Sequence, residues 1–244
     1  MRHLKKILLA GLIIPVISLT SCQTSESTGY TLYDSKEVDD ATYYIYQSNE
    51  DSSYIAKLEE YDGDDSEFVI PDTITYDSTD VSVIEIMFNA FTAQNTLETI
   101  TLGANIKTIG YSAFMSCKSL NTVYLNEGLT TIDGYAFAKS SITTITIPES
   151  VTDIEPANFL DCTNLESVIL LSKDISIGKE SFSNNTSFKY LYFYGTKEEY
   201  ETLNINDSNN TYLTSDTIYY YSETKPIESG NYWYYNQGNV EIWN

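Results

Sequence analysis

Histidine and arginine are nearly missing from this 244-residue chain: His3 and Arg2 are the single examples of each. With no histidine after position 3, a histidine-dependent catalytic triad and histidine-rich metal sites are excluded from the body of the chain. There is no glycine-rich phosphate loop either. Positive charge is scarce, with 13 basic residues against 35 acidic ones and a net charge of -22. Such a chain is repelled by phosphate backbones, so nucleic acid is excluded as a partner. The acidity serves the solubility of an exposed protein, with attraction to a basic partner or to cations as the sharper alternative. No long hydrophobic run is present. The longest, Ile7 to Ile17, has 11 residues, whereas a bilayer span needs roughly 20.

That short run has the layout of an export signal, residues 1–21, with Arg2, His3, Lys5 and Lys6 ahead of it. It ends in Leu19-Thr20-Ser21-Cys22, which resembles a bacterial lipobox. The resemblance implies cleavage before Cys22 and lipidation of that residue, hence an anchor on the extracellular face of the envelope. Several acyl chains on one residue hold stably where a single chain is marginal. The alternative is an ordinary cleaved signal with an incidental cysteine. Loss of the leader removes Arg2, Lys5 and Lys6 and leaves ten lysines as the only bases.

The centre of the chain is repetitive. Phe91, Phe114, Phe137, Phe159 and Phe182 are spaced by 23, 23, 22 and 23 residues. Leu97, Leu120, Ile142, Leu165 and Phe188, which open the strand-like blocks, are spaced by 23, 22, 23 and 23. Two columns with one period, sharing a single-residue slip, define a solenoid of leucine-rich units. Each block alternates like a half-buried strand, as in Ile100 and Leu102 against Thr99 and Thr101. One such coil cannot bury its apolar residues alone, whereas a stack can. The phenylalanines are expected as a buried spine opposite the strands.

The run Ile145-Thr-Ile147-Pro148-Glu-Ser-Val151-Thr-Asp-Ile154, with Ala113-Phe114-Met-Ser-Cys117-Lys-Ser-Leu120, resembles the BspA-type leucine-rich repeat of bacterial surface proteins. Three residues depart from the pattern: Asn158 and Ser181 stand for alanine, and Asp174 for valine or isoleucine. The resemblance implies a solenoid of about five coils, with a parallel strand face and a mostly irregular or short-helical convex side. It also implies a cell-surface protein engaged in adhesion and recognition rather than an enzyme.

Residues 68–194 are assigned to the solenoid, with an insertion at Asp72 to Asp80. Ahead of it, 22–38 reads as a lipidated, polar tether and 39–67 as a capping β-hairpin. Residues 195–244 read as an aromatic-rich C-terminal cap. It opens with a capping box at Thr196-Lys-Glu-Glu199 and ends in a hairpin, Tyr232–Tyr235 with Val240–Trp243.

Cys117 and Cys162 lie two coils apart, roughly 10 Å at strand spacing, beyond the ~7 Å reach of a disulfide. They are expected as buried free thiols. Asp62-Gly-Asp64-Asp65-Ser-Glu67 lacks EF-hand spacing and reads as a solvated turn, with calcium as the alternative. No cofactor and no metal are expected.

Two surfaces are candidates for binding. The outward strand face offers Thr99, Thr101, Thr122, Tyr124, Thr144, Thr146, Ile169, Leu171, Tyr190 and Tyr192, for a host or matrix protein. The C-terminal aromatics, Trp233 and Tyr235 above all, offer stacking surfaces for a glycan. In both regions, packing between the strand face and the C-terminal cap is the competing reading.

Overall fold

The computed structural model describes residues 29–206, 208–214 and 216–243. The leader and Cys22 lie outside the described residues. The chain enters through three antiparallel strands, β1 (Tyr30–Val38), β2 (Ala41–Ser48) and β3 (Tyr54–Tyr61). The hairpin expected at the N-terminus is thus β2 with β3, and a third strand joins it. That third strand corrects the tether assigned to 22–38 over residues 30–38, while residues 22–28 lie outside the described residues. Polar as Tyr30–Val38 is, it pairs with β2 from Tyr30↔Ser48 to Val38↔Ala41. Backbone pairing needs no apolar side chain, and β1 is an edge strand with mostly exposed residues.

The solenoid begins with β4 (Glu67–Val69), followed by β5 (Thr73–Tyr76) and β6 (Thr79–Ile86). The insertion is the hairpin formed by β5 and β6. Its turn residues Asp77 and Ser78 both have positive φ, 46° and 65°, as a type I′ turn demands. Each coil then supplies a front strand and a short back strand. In chain order they are β7 (Thr99–Thr101), β8 (Thr108–Ile109), β9 (Thr122–Tyr124), β10 (Thr131–Ile132), β11 (Thr144–Ile147), β12 (Asp153–Ile154), β13 (Ser167–Leu170), β14 (Ser176–Ile177) and β15 (Tyr190–Phe193). Helix α1 (Lys197–Glu201) follows, then β16 (Ile218–Tyr221), β17 (Tyr232–Asn236) and β18 (Asn239–Ile242).

The back strands form one sheet with the N-terminal meander, in the order β1-β2-β3-β6-β8-β10-β12-β14. Across from the front strands the coils are mostly turns and irregular backbone, as expected, and within them runs a second parallel ladder of two-residue strands. The isoleucine that ends each of them, Ile109, Ile132, Ile154 and Ile177, favours extended backbone over helix. The front face also runs further than five coils. β16 pairs with β15 and β17 with β16, both in parallel, so the region expected to be only a cap extends the front sheet.

The core runs the length of the stack. Phe91, Phe114, Phe137, Phe159 and Phe182 are all buried, with ring centroids 4.9, 5.4, 5.6 and 5.5 Å apart in succession. Their planes are within 18° of parallel. Coils spaced at strand separation place equivalent rings within the favourable stacking range. Tyr61 of β3 packs against Phe91 at 5.3 Å, its ring tilted by 30°, and closes the spine at its N-terminal end. Cys117 and Cys162 are buried free thiols, each donating to a phenylalanine carbonyl, of Phe91 and Phe137, at 3.0 Å. Burial pushes the Cys117 thiol up to about 12 and the Cys162 thiol to about 11, so neither is a thiolate at neutral pH.

Two residues per coil take the left-handed backbone conformation. Asn89, Ser112, Tyr135, Ala157 and Glu180 form one column, with φ between 57° and 62°. Ala93, Ser116, Lys139, Asp161 and Asn184 form the other, with φ between 59° and 62°. None is glycine, and each such residue costs roughly 1–2 kcal/mol. The return is a hydrogen-bond lattice between coils. Ser112, Phe114 and Ser116 donate their N–H groups to Gly134, Ala136 and Ala138 of the following coil, at 3.1, 2.8 and 2.8 Å.

At the last coil Phe182 N–H meets a side-chain carbonyl, that of Asn210, where the earlier coils offer a backbone one. Its Oδ1 accepts from Phe182 N–H at 2.9 Å, and its Nδ2 donates to Gly178 and Asn206 carbonyls. Asn210→Ala is expected to cost about 1–3 kcal/mol, because a buried N–H is left unpaired. A urea midpoint unchanged from the parent protein would show that Asn210 does not terminate the lattice.

The departures from the repeat pattern have structural roles. Asn158 Nδ2 donates to the Ile132 and Asp133 carbonyls, and Ser181 Oγ to those of Glu155 and Gly178. Asp174 is exposed while Ile175, one residue on, fills the core.

Candidate functional site

The front face is where the coils present side chains to solvent in register. One column reads Val69, Thr101, Tyr124 across β4, β7 and β9, and a second reads Thr146, Ile169, Tyr192, Tyr219 across β11, β13, β15 and β16. Alternation turns Ile100, Val123, Ile145 and Val168 inward, where all four are buried.

The C-terminal half of this face is covered. Ile169, Tyr192 and Trp233 form a separate buried cluster, packed against by Leu171, Tyr190, Tyr194, Tyr219 and Tyr221. Trp233 is 0% exposed and lies 5.7 Å from Tyr192 and 5.2 Å from Tyr221, ring to ring. Its indole N–H donates to the Phe193 carbonyl at 2.9 Å. Burial, with Tyr190 and Tyr219 adding to it, pushes the Tyr192 hydroxyl up to about 12. Ile169, Tyr192 and Trp233 were candidates for an open contact surface, and that assignment is corrected. Apolar outward residues on adjacent strands bury one another when the next strands supply aromatic partners. Leu171 and Tyr190 are half-buried beside them.

The N-terminal half of the face is open. Tyr124 is 59% exposed. Thr144 and Thr146 are exposed, and Thr99, Thr101 and Thr122 are half-exposed. Between the two halves the front sheet breaks: β4-β7-β9 form one sheet and β11-β13-β15-β16-β17-β18 another, with no ladder from β9 to β11. A long hydrogen bond of 3.4 Å from Thr143 N–H to the Asn121 carbonyl stands at the junction.

The break falls at the one short coil. Five positions separate Phe137 from Ile142, where six separate Phe114 from Leu120 and Phe159 from Leu165. The missing residue in that arc coincides with the weakened pairing. The Thr143–Asn121 bond keeps the register of the neighbouring coils, where Asn121 N–H donates to Glu98 and Glu166 N–H to Thr143. At the break lies a cleft of about 300 Å³ lined by Tyr124, Thr122, Thr144, Thr146, Glu127 and Pro148, among others. Tyr235, 38% exposed, stands near it. Its hydroxyl is pushed up by burial, by Tyr194 and Tyr221, and by the Glu127 carboxylate. The spacing slip was visible in the sequence, but the cleft that accompanies it on the face was not.

More than half of the chain, residues 84–212, matches six copies of the BspA type leucine rich repeat region. The chain belongs to the BspA-type leucine-rich repeat family. Solved structures that share its fold include a T. pallidum and a pneumococcal protein. The T. pallidum leucine rich repeat protein is 24% identical with a TM-score of 0.57, over 65% of this chain and 71% of that one. The pneumococcal vaccine antigen PcpA is 21% identical with a TM-score of 0.53, over 72% of this chain and 51% of that one. This chain thus spans about half the length of the PcpA chain. No curated protein matches it in sequence. Among the described residues, no group of three or more His, Cys, Asp or Glu side chains is placed to hold a metal. The turn at Asp62–Glu67 is exposed at all its acidic residues, and the Tyr61 hydroxyl donates to Asp65 Oδ2 at 3.1 Å.

Two carboxyls on the back of the BspA-type coils are held above their ordinary range. Asp133 is raised by burial and by Glu85; Glu155 is raised by burial, then by Asp153 and Asp133. A raised folded value means that the native state binds more protons than the unfolded one, so stability falls as pH rises through the window above ~4. Asp133→Asn is expected to raise Tm at pH 7 and to flatten the dependence of Tm on pH between ~4 and 7. A lower Tm at pH 7 would contradict this.

Proposed function

We propose that this BspA-type protein is a lipid-anchored, extracellular recognition module without catalytic activity. It is held to the envelope at Cys22 and engages a host or matrix protein through the open half of its front face. The observation that carries this reading is the exposed Tyr124 lining the cleft, set among threonines on the strand face. An exposed aromatic on such a face offers contact area at small entropic cost. The leader and the Leu19–Cys22 sequence support the anchor.

The test is an array of matrix proteins and glycans probed with the full chain. Saturable binding to a protein, weakened about tenfold or more by Tyr124→Ala with Thr146→Ala, is the expected result. Protein binding that ignores both substitutions sinks the assignment to this face.

The second reading, a carbohydrate-binding accessory protein, retains Tyr235 as an exposed ring, while Trp233 is buried. Glycan binding lost in Tyr235→Ala and kept in Tyr124→Ala would favour it. Incorporation of labelled palmitate that disappears in Cys22→Ser tests the anchor separately.

A further inference from the structure

We propose that the cleft between β9 and β11 seats a single cationic side chain, lysine or arginine, presented by the protein partner. This inference rests on the front face being the contact surface.

Four observations converge. First, the cleft is a built depression of about 300 Å³ at the break in the front sheet, while the ladders on either side stay intact. Second, its lining pairs an aromatic face with a carboxylate. Tyr124 is 59% exposed, and Glu127 is the one charged residue among those lining the cleft. A cation over a tyrosine ring with a carboxylate at hand gains both cation–π attraction and a charge-assisted hydrogen bond. Third, the hydroxyls of Thr122, Thr144 and Thr146 offer acceptors for the remaining N–H groups of an ammonium or guanidinium. Fourth, no lysine lines the cleft. The Lys107 ammonium of the preceding coil donates to the Gly128 carbonyl at 3.2 Å, one residue on from Glu127, and does not line the cleft.

Charge points the same way. Glu149 occupies, one coil on, the position of Glu127, so a second carboxylate follows the buried Pro148 at the cleft edge. Glu127 also adds, behind burial, Tyr194 and Tyr221, to pushing up the Tyr235 hydroxyl. With 35 acidic residues against 13 basic ones, the whole chain draws cations toward this surface. A neutral sugar would use the tyrosine and the hydroxyls but gain nothing from the field.

The probe is a short synthetic peptide with one central arginine among glycines and serines, blocked at both ends. Its neutral twin carries citrulline in place of arginine. Each is titrated into the full chain at 150 mM salt and followed by amide NMR. The arginine peptide is expected to shift the amides of residues 121–127 and 143–147, with the citrulline peptide at least fivefold weaker. Glu127→Gln and Tyr124→Ala should each weaken the arginine peptide at least fivefold. Tyr124→Phe should keep it, and Glu228→Gln, a remote exposed carboxylate, should leave it unchanged.

Equal binding of the two peptides overturns the proposal. So does a Glu127→Gln effect no larger than that of Glu228→Gln, which would mean diffuse attraction to an acidic protein. So does a neutral hexasaccharide that shifts these amides while the arginine peptide does not. None of these results touches the front-face reading, which stands or falls on the array. Conversely, if the peptide binds in the cleft and the array ligand ignores Tyr124→Ala, the front-face reading fails and the cleft remains a cation site.

Discussion

Phe137→Ala should lower the stability of this protein by about 3–5 kcal/mol, or ~10 °C in Tm. Phe137 sits at the middle of the stacked spine, 5.4 Å from Phe114 and 5.6 Å from Phe159, and is fully buried. Alanine there leaves a cavity bounded by two rings that backbone hydrogen bonds hold at coil spacing. Phe137 N–H, for instance, donates to the Asn158 carbonyl at 3.1 Å. The surroundings cannot collapse without breaking that lattice, which puts the cost toward the upper part of the usual range.

A second consequence follows from the one-dimensional architecture. Each coil touches only its neighbours, so weakening one interface uncouples the two sides. The substitution lies at the coil where the front sheet is already broken. Both tryptophans, Trp233 and Trp243, lie in the C-terminal segment, so their fluorescence reports that end while circular dichroism reports the whole. In Phe137→Ala the two urea transitions should separate. Coincident transitions with a loss below about 1 kcal/mol would show that the spine does not couple the halves.

Trp233→Ala should be as costly locally, about 3–5 kcal/mol, but confined to the C-terminal end. The side chain is wholly buried, and its removal strands the Phe193 carbonyl that accepts its N–H. Tyr192 and Ile169 then lose their cover. The β17–β18 hairpin is held by its own antiparallel pairs and by two parallel pairs to β16, so it should detach before the coils melt. Trp243 stacks on Tyr234 at 3.9 Å and donates to the Ser222 carbonyl at 2.9 Å, which makes it the reporter. Early protease cleavage near residues 222–231, with the main transition seen by circular dichroism nearly unmoved, is the expected pattern. A uniform shift of the whole transition would mean that the aromatic cluster is part of one cooperative core. This variant also limits how binding experiments are read: lost binding in Trp233→Ala reports lost packing rather than a lost contact.

The reach of the sequence differs from one element to the next. The repeat was legible because a 23-residue period survives in two separate columns, and because burial of one strand face forces period-2 alternation. The capping box at Thr196 was legible for the same local reason. The Thr196 side chain accepts from Glu199 N–H, and the Glu199 carboxylate accepts from Thr196 N–H. The buried thiols and the terminal hairpin were likewise matters of pattern and spacing.

What the sequence left open depends on groups that meet only when distant coils stack. Strand β1 is polar and carries no apolar alternation, so only the backbone of β2 reveals it. The left-handed columns hold Tyr135, Lys139 and Glu180 rather than glycine, because inter-coil hydrogen bonds, not residue type, impose that conformation. Asn210 acquires its role because the solenoid ends there and a Phe182 N–H has to be met. The candidate site divides along the same line. Alternation alone put Thr99, Thr101, Thr122, Tyr124, Thr144, Thr146, Ile169 and Tyr192 on one face. Whether that face is open was decided by β16 and β17, which bring tyrosines and Trp233 over its C-terminal half and leave Tyr124 and the cleft uncovered. A periodic sequence fixes which way each side chain points, since that is local geometry. It does not fix what arrives to cover it, since that depends on where non-repeating segments find apolar area to bury.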